Sequence, residues 1–348
     1  MHRTSKLALA LLLAAAPALR AQAAGDPGYH VTRSVAVGGD GGWDYLTVDT
    51  AGNRLFLSRG THVMVVDLAR LAVVGDVPGT TGVHGITLDG ADGRAFTSNG
   101  RDSTSTVFDV RTLATVGTVH LGGRNPDAIV YDRASGRAFT MNAGSGTATA
   151  VDARGMSVAG TIPLGGRPEF AVVDGRGTLY VNLEDSSAIA VVDTRAMRVV
   201  RHFALTGCEA PSGLAFDAAD GRLFSVCENK VMAVSDAATG RVIATVPIGE
   251  GTDGAGYDER SRTAFSSNGG DGTLTVVRET SPGHYAAVQT VPTRRGARTM
   301  AVDPRNGRVY TVSAEFGPAP APTTENPRPR RTIVPGSFTV IEVSPAGA

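Results

Sequence analysis

The chain has 348 residues, of which 33 are basic and 33 are acidic, so its formal net charge is zero. This balance lacks the basic footprint that nucleic-acid-binding proteins carry, and nucleic acid is not an expected partner. With 44 glycines and only 5% aromatic residues, the composition is typical of an all-β chain rich in turns.

The first 23 residues have the pattern of a signal peptide. Arg3 and Lys6 form a basic segment, Leu7–Ala16 an apolar segment, and Ala21–Ala23 a small-residue cleavage site. The apolar segment is too short to span a bilayer comfortably, and no later segment approaches the roughly 20 apolar residues that a transmembrane helix needs. We expect an exported monomer, periplasmic or secreted, without a transmembrane segment. A retained N-terminal anchor is the alternative.

Between residues 125 and 166 the sequence contains four short apolar runs separated by turn residues. The runs are Ala128–Tyr131, Arg137–Met141, Thr147–Val151 and Val158–Leu164, and each is bounded by Asp, Gly, Ser or Pro. Such runs predict four strands joined by tight turns. A single four-stranded sheet cannot bury both of its faces, so this unit needs neighbouring units.

The same pattern recurs seven times along the chain. Each unit has an apolar run that ends in an aspartate, then a turn, then a run centred on Phe or Tyr. The aspartates are 40 to 45 residues apart, which is the period of four-stranded propeller blades. We predict an all-β fold, a single seven-bladed β-propeller over residues 24–348, in which these aspartates shape turns. They are Asp49, Asp89, Asp132, Asp174, Asp217, Asp258 and Asp303.

The two ends of the chain complement each other. The last unit finishes with its third strand, Phe338–Val343, and no fourth strand follows. At the other end, Val31–Gly39 matches the fourth-strand segment Val158–Gly166. We therefore predict that the N-terminal strand completes the last blade, which leaves no half-made blade with an open inner edge.

The repeat resembles that of the YVTN-repeat β-propellers of bacteria, the YncE-like exported proteins. The seven aspartate-to-aromatic segments carry the resemblance together with Ala188–Asp193 and Val199–Val200, and they cover essentially the whole mature chain. The resemblance implies the fold, whereas functions in this family include ligand binding and scaffolding. One branch is reported to bind single-stranded DNA, which would need a basic groove and stacking platforms. A chain with one tryptophan and no basic surplus does not favour that activity.

Propellers usually work at the end of the central channel where the innermost strand of each blade begins. The residue five positions before each repeat aspartate should lie at this mouth, and six of these seven residues are ionisable. Repeats kept only for packing have little reason to hold charge there, so we predict a ligand site. The seven residues, called the ring residues below, are Asp44, His84, Asp127, Glu169, Ser212, Asp253 and Arg298.

The chemistry of the ring allows several ligands. Carboxylates on one axis repel each other, which raises pKa values unless a cation is present. Ca²⁺ or Mg²⁺ would suit an all-oxygen subset, whereas His84 beside Asp44 and Asp127 would suit zinc or copper. Arg298 would hold an anionic ligand group or a neighbouring carboxylate. The alternative is a hydrated rim without a ligand. The sequence contains no nucleotide-binding or haem motif.

Further candidates lie close to the ring in the predicted fold. Trp43 and Tyr45 flank Asp44, and either stack on a ligand or pack in the core. The turns between the second and third strands return to the same end, and His62 there would join Asp44 and His84 as a metal ligand. The other residues in these turns are Arg59, Asn99, Asn142, Glu184, Glu228, Asn268 and Glu315, of which the asparagines are expected to serve backbone geometry.

Cys208 and Cys227 are the only cysteines, and they should lie on adjacent strands of the fifth blade. In an oxidising compartment we predict a disulfide between them, which would fix Glu209 at the mouth. Two free thiols or a copper site is the alternative.

The last blade contains an irregular insert at residues 314–336 with six prolines. Proline denies the insert ladder hydrogen bonds, so it is predicted to be extended and to lie over the channel mouth. Long loops of this kind are often lids, and Arg328, Arg330 and Arg331 would then face the carboxylates. A rigid cover over the blade edge is the alternative.

Three functions follow from these patterns. The first is an exported protein that binds a small ligand, a divalent cation or both at the ring, without turnover. The second is a metal-assisted lyase or lactonase at the same site, with His84 or a carboxylate of raised pKa as the base. The third is a protein-interaction scaffold. No GxSxG motif supports a serine hydrolase.

Overall fold

The computed structural model describes residues 28–324 and 331–347. The predicted signal peptide, Arg328 and Arg330 lie outside these ranges. The described residues form 27 β-strands and no helix, hence no helix in this part of the chain that is long and apolar enough to cross a membrane.

Twenty of the strands form five antiparallel sheets of four strands each. Four of these sheets use consecutive strands. They are β9 Pro126–Asp132, β10 Arg137–Asn142, β11 Thr147–Asp152 and β12 Ser157–Pro163; β13 Pro168–Val173, β14 Thr178–Leu183, β15 Ala188–Asp193 and β16 Arg198–Ala204; β17 Pro211–Asp217, β18 Arg222–Cys227, β19 Val231–Asp236 and β20 Val242–Pro247; and β21 Thr252–Asp258, β22 Thr263–Asn268, β23 Thr273–Ser281 and β24 His284–Pro292.

The fifth four-stranded sheet joins the two ends of the chain. It contains β1 Tyr29–Ala36, β25 Met300–Asp303, β26 Arg308–Ser313 and β27 Thr339–Pro345. Strand β1 runs antiparallel to β27, from Tyr29 opposite Pro345 to Ala36 opposite Thr339. The predicted completion of the last sheet by the N-terminal strand is therefore present.

One larger sheet has seven strands in sequence order. The strands are β2 Leu46–Asp49, β3 Arg54–Ser58, β4 Gly60–Asp67, β5 Ala72–Asp89, β6 Arg94–Asn99, β7 Thr104–Asp109 and β8 Thr115–His120. Strand β5 has 18 residues. Its first part, Ala72–Pro78, pairs with β4, and its second part, from Val83 to Asp89, pairs with β6. One continuous strand thus serves as the outer strand of one unit and the inner strand of the next.

The core lies between adjacent sheets and is built from the aromatic-centred runs. The side chains of Phe56, Phe96, Phe139 and Phe265 are fully buried. Burial of one such side chain stabilises the fold by about 1.5–3 kcal/mol. The middle strands are buried on both faces, whereas an outer strand such as β12 is mostly exposed, with Ile162 as its one buried residue.

The repeat aspartates form turns, as the sequence predicts. The carboxylate of Asp132 accepts hydrogen bonds from the backbone N–H groups of Ala134 and Ser135, and Asp174 accepts from those of Arg176 and Gly177. These bonds hold the turn between the first and second strands of each unit. They explain the aspartates without any role in ligand binding.

Candidate functional site

The ring residues lie at or just before the starts of the innermost strands. Hydrogen bonds between neighbouring inner strands hold several of their backbones at this level. The hydroxyl of Thr299 donates to the carbonyl oxygen of Asp44 at 2.6 Å. The backbone N–H of Tyr45 donates to the carbonyl oxygen of His84 at 3.3 Å. These bonds bring Arg298, Asp44 and His84 close together.

Asp44, His84 and Asp127 form the tightest group in the ring. His84 Nδ1 lies 2.6 Å from Asp44 Oδ2 and 3.7 Å from Asp127 Oδ1. One ligand atom from each of the three residues lies within 4.8 Å of the other two. Asp127 Oδ1 is buried and has no hydrogen-bond partner among the described residues. Two carboxylates thus compete for one imidazole N–H, and one carboxylate oxygen remains unsatisfied.

Arg298 connects this group to the next carboxylate of the ring. Its Nε donates to Asp253 Oδ2 at 2.7 Å, and its Nη2 lies 3.3 Å from Asp44 Oδ1 and 3.2 Å from the carbonyl oxygen of Trp43. The guanidinium is therefore shared between two carboxylates. Contacts of less than 4 Å join Asp253, Arg298, Asp44, His84 and Asp127 into one chain.

On another side of the ring, Glu169 is held by an arginine that the sequence analysis did not single out. Arg167 Nη2 lies 3.7 Å from Glu169 Oε1, and Arg167 Nη1 lies 2.7 Å from Glu184 Oε2. The signal was its position two residues before a ring residue, on the same approach to the inner strand. Ser212, the seventh ring residue, is neutral, and its backbone carbonyl accepts from Asn182 Nδ2 at 2.9 Å.

Burial and mutual repulsion shift the pKa values of the ring carboxyls upward. Loss of hydration, followed by the charge of Asp44, raises the pKa of Asp127 to about 7. Loss of hydration and the charge of Asp127 raise the pKa of Glu169 to about 8. Burial and the charge of Asp44 raise the pKa of Asp253 to about 6, although Arg298 opposes the shift. The ring therefore holds protons near neutral pH.

Burial alone would lower the pKa of His84, but the hydrogen bond to Asp44 and the charge of Asp127 outweigh it and raise that pKa. The imidazole is thus favoured in its charged form, with Nδ1–H directed to the carboxylates. On its other side, His84 Nε2 lies against Gly100, where a Cβ atom would come within 2.7 Å of it.

Tyr45 and Phe170 form an aromatic pair beneath the ring. Tyr45 directly precedes β2 and Phe170 lies in β13, and their ring centroids are 5.1 Å apart. Burial and the nearby carboxylates, Asp127 first among them, raise the pKa of Tyr45 well above its usual value, so its hydroxyl stays protonated. Phe170 also lines a cavity of about 490 Å³, together with Val130 and Val172.

Trp43 is packed in the core and exposes only 8% of its surface. Its ring centroid lies 5.8 Å from that of Phe316 and 5.5 Å from that of Phe338. Its Nε1 is buried and has no hydrogen-bond partner in the described part of the chain. Trp43 therefore packs against the insert of the last sheet rather than stacking over Asp44.

Arg59 serves structure rather than the ring. Its guanidinium is fully buried and donates to the carbonyl oxygens of Gly38, Gly39, Gly41 and Gly42 at 2.9–3.1 Å. It also lies over the ring of Phe338, with 3.6 Å from Cζ to the ring centroid. Burial lowers the pKa of Arg59 to about 10. Arg59 thus fastens the loop that leads from β1 into β2.

The asparagines of the turns also serve structure, but through their side chains. Asn142 Nδ2 donates to Thr147 Oγ1 at 3.1 Å and to Thr149 Oγ1 at 2.9 Å, while its Oδ1 accepts from Thr140. Asn99 and Asn268 make the same bonds to equivalent hydroxyl residues. Backbone geometry was the role expected from the sequence, whereas the amides clamp the second strand to the third.

The remaining sequence candidates lie apart from the central group. His62 faces Asp76, with 3.8 Å between Nε2 and Oδ1, and is not brought to Asp44, His84 and Asp127. Glu209, Glu228 and Glu315 are exposed.

The predicted disulfide between Cys208 and Cys227 is present, with a Cα–Cα distance of 5.5 Å. Both cysteines are buried, next to Leu205 and Leu214. The disulfide links Cys208, in the loop before β17, to Cys227 at the end of β18. It therefore holds the start of the inner strand β17 in place.

No protein-family model matches the chain, and no curated protein sequence matches it. Among solved structures, a chain of Kuenenia stuttgartiensis hydrazine synthase superposes with a TM-score of 0.67 at 18% identity, over 86% of this chain and 97% of that chain. A chain of the mitotic checkpoint complex superposes with a TM-score of 0.71 at 16% identity, over 89% and 95%. Both are β-propeller proteins, and the fold of this chain is a β-propeller.

Proposed function

We propose that the protein is an exported β-propeller that binds a divalent transition-metal cation, zinc by preference, at the channel mouth and presents it to a small polar ligand. The observation that carries the proposal is the buried, unpartnered Oδ1 of Asp127 at 3.7 Å from His84 Nδ1, with Asp44 Oδ2 on the same nitrogen. A cation in place of the shared proton would satisfy all three side chains at once.

The architecture of this proposal has seven blades. Strand β5 pairs with two neighbours by separate parts. If each part is counted in its own sheet, the seven-stranded sheet becomes two four-stranded blades beside the five other sheets. Seven repeats in the sequence support the same number. We assign the chain to the YVTN-repeat, YncE-like propellers because of the sequence of its repeats.

The compartment we propose is the periplasm or the extracellular space. The signal-peptide pattern of residues 1–23 and the disulfide between Cys208 and Cys227 support this location, because disulfides persist in oxidising compartments.

The donor set favours zinc or a related transition metal over Ca²⁺ or Mg²⁺. One imidazole nitrogen and two carboxylate oxygens are typical zinc ligands, whereas Ca²⁺ and Mg²⁺ prefer oxygen alone. Three protein ligands leave a coordination position for a ligand molecule. Around that position Glu169 and Asp253 supply acceptors or, when protonated, donors. A polar ligand with hydroxyl or amine groups fits such surroundings.

Titration calorimetry with Zn²⁺ tests the proposal. We expect one ion per chain and the release of a proton from His84 Nδ1 on binding, measured as a heat that depends on the ionisation enthalpy of the buffer. Asp127→Asn should weaken Zn²⁺ binding by at least about 100-fold. Asp92→Asn is the matched control, since this exposed aspartate lies in the turn between β5 and β6 and pairs only weakly with Arg154 at 3.5 Å. Equal Zn²⁺ affinity in the two variants would refute the site.

A second candidate function is a metal-assisted lyase or lactonase at the same mouth. The pKa of Glu169, raised to about 8, favours it, because a carboxyl that titrates near neutral pH can exchange a proton with a substrate. If His84 is a cation ligand it is unable to act as the base as well, which leaves Glu169 for that role. The test is the turnover of lactone substrates. Turnover by the wild type that is lost in Glu169→Gln, while the Zn²⁺ affinity of this variant is unchanged, would establish the enzyme. If the protein is instead a protein-interaction scaffold, Asp127→Asn and Glu169→Gln should both leave partner binding unchanged.

A further inference from the structure

A second cavity lies beside the ring, beneath the insert of the last blade. Its volume is about 500 Å³, and its lining includes Trp43, Arg298, Phe316, Arg331 and Ile333. The two limbs of the insert are paired here: Phe316 bridges Ile333, and the Gly317 N–H donates to the carbonyl oxygen of Thr332 at 2.8 Å. Backbone hydrogen bonds therefore join the two described limbs of this wall.

One side of this cavity is apolar and partly aromatic. The rings of Trp43 and Phe316 lie 5.8 Å apart at a tilt of 41°, and Ile333 packs against the same core cluster as Trp43. Phe316 keeps 40% of its surface exposed, which is unusual for a phenylalanine in this protein. A volume of about 500 Å³ lies within the range of small-molecule sites. The surface suits a flat or branched apolar group.

The cavity also contains two guanidinium groups with unused donors. Arg298 uses Nε and Nη2 for Asp253, Asp44 and the Trp43 carbonyl, and within residues 28–324 and 331–347 its Nη1 donates to no protein atom. Arg331 is exposed and has no ion-pair partner in the same ranges. Two arginines that line one cavity favour an anion, and a carboxylate matches the planar guanidinium.

We propose that this cavity binds a small organic monocarboxylate with an aromatic body. The carboxylate accepts from Arg331 and from Arg298 Nη1, and the aromatic body lies against Phe316 and Trp43. This site requires no cation and is separate from the one proposed at Asp44, His84 and Asp127, although Arg298 borders both.

Trp43 is the only tryptophan of the chain, so its fluorescence reports directly on this cavity. Phenylacetate is the probe, phenylacetamide lacks the charge, and acetate lacks the aromatic body. We expect a saturable change of Trp43 fluorescence with phenylacetate, matched by a calorimetric isotherm, and affinities at least about tenfold weaker for the two controls. Absence of both signals, or equal binding of phenylacetamide, would overturn the proposal.

Substitutions separate this site from the ring. Arg331→Gln and Phe316→Ala should each weaken phenylacetate binding about tenfold, whereas Arg111→Gln, which removes an exposed arginine on another blade, should leave it unchanged. Asp127→Asn should weaken Zn²⁺ binding by at least about 100-fold and retain phenylacetate binding. If Asp127→Asn also abolishes phenylacetate binding, the carboxylate is bound through the cation and the separate site is wrong. If Arg331→Gln binds like the wild type, the assignment fails as well.

Discussion

Glu169 allows a direct test of how the charged mouth affects stability. Its side chain is 16% exposed, and its nearest cation, Arg167, lies 3.7 Å away. Burial, then Asp127, raises the pKa from 4.5 to about 8 in the folded protein. The folded state therefore holds a proton that the unfolded chain has already lost. The stability that this proton provides is fully present below about pH 4.5 and is lost as the pH rises through 8.

The size of the effect follows from the shift. Each pKa unit corresponds to about 1.4 kcal/mol, which sets an upper limit of about 5 kcal/mol, and residual solvation reduces it to about 2–4 kcal/mol. Glu169→Gln removes the titrating group. At pH 5 the variant should be more stable than the wild type by no more than about 1 kcal/mol, because the loss of stability begins near pH 4.5, and at pH 9 it should be more stable by about 2–4 kcal/mol.

Urea unfolding at pH 5, 7 and 9 in the presence of a chelator measures this difference as a shift of the midpoint at constant slope. Glu259→Gln serves as the control, because Glu259 is exposed in the turn that follows β21. A variant with the same dependence on pH as the wild type, or one less stable than the wild type at pH 9, would show that Glu169 is not a strained carboxyl.

Three further variants test the residues that support the mouth. Arg59→Met should destabilise the protein by about 3 kcal/mol, because four carbonyl groups lose a charged donor; a change below about 1 kcal/mol in urea unfolding would contradict its role as the fastener. Replacement of Cys208 and Cys227 by serine should lower the free energy of unfolding by about 3 kcal/mol, for cysteines 19 residues apart. In thermal unfolding, reductant should lower the midpoint of the wild type and leave that of the variant unchanged. Gly100→Ala should displace His84 and weaken Zn²⁺ binding about tenfold with little change in the unfolding midpoint. Unaltered Zn²⁺ affinity in that variant would place the metal elsewhere.

The repeat made the architecture predictable from the sequence. A strand-turn-strand segment that recurs every 40 to 45 residues allows few folds, and the spacing to each repeat aspartate defined which residues share one level. This is why Asp44, His84, Asp127 and Arg298, which are far apart in the chain, were expected together and lie together.

Residues outside the repeat register were harder to predict. Arg59 lies in a turn at the mouth, but its partners are backbone carbonyl groups in residues 38–42. Every residue has a backbone carbonyl, so the sequence does not show which ones accept from Arg59. His62 has a similar position, yet the strand register places it opposite Pro78 and near Asp76. Arg167 was overlooked because its role depends on Glu184, a residue of the neighbouring turn.

The junction between β1 and β27 has a consequence for the order in which the protein can be made. Asp44 and Arg298 meet where the sheet that contains this junction borders β2, although 254 residues separate them in the chain. A polypeptide that is still being synthesised lacks the C-terminal partner of its first strand, so the sheet beside Asp44 is incomplete. The contact between Asp44 and Arg298 therefore forms late, and a chain truncated before β27 would leave β1 and β26 without the strand that lies between them.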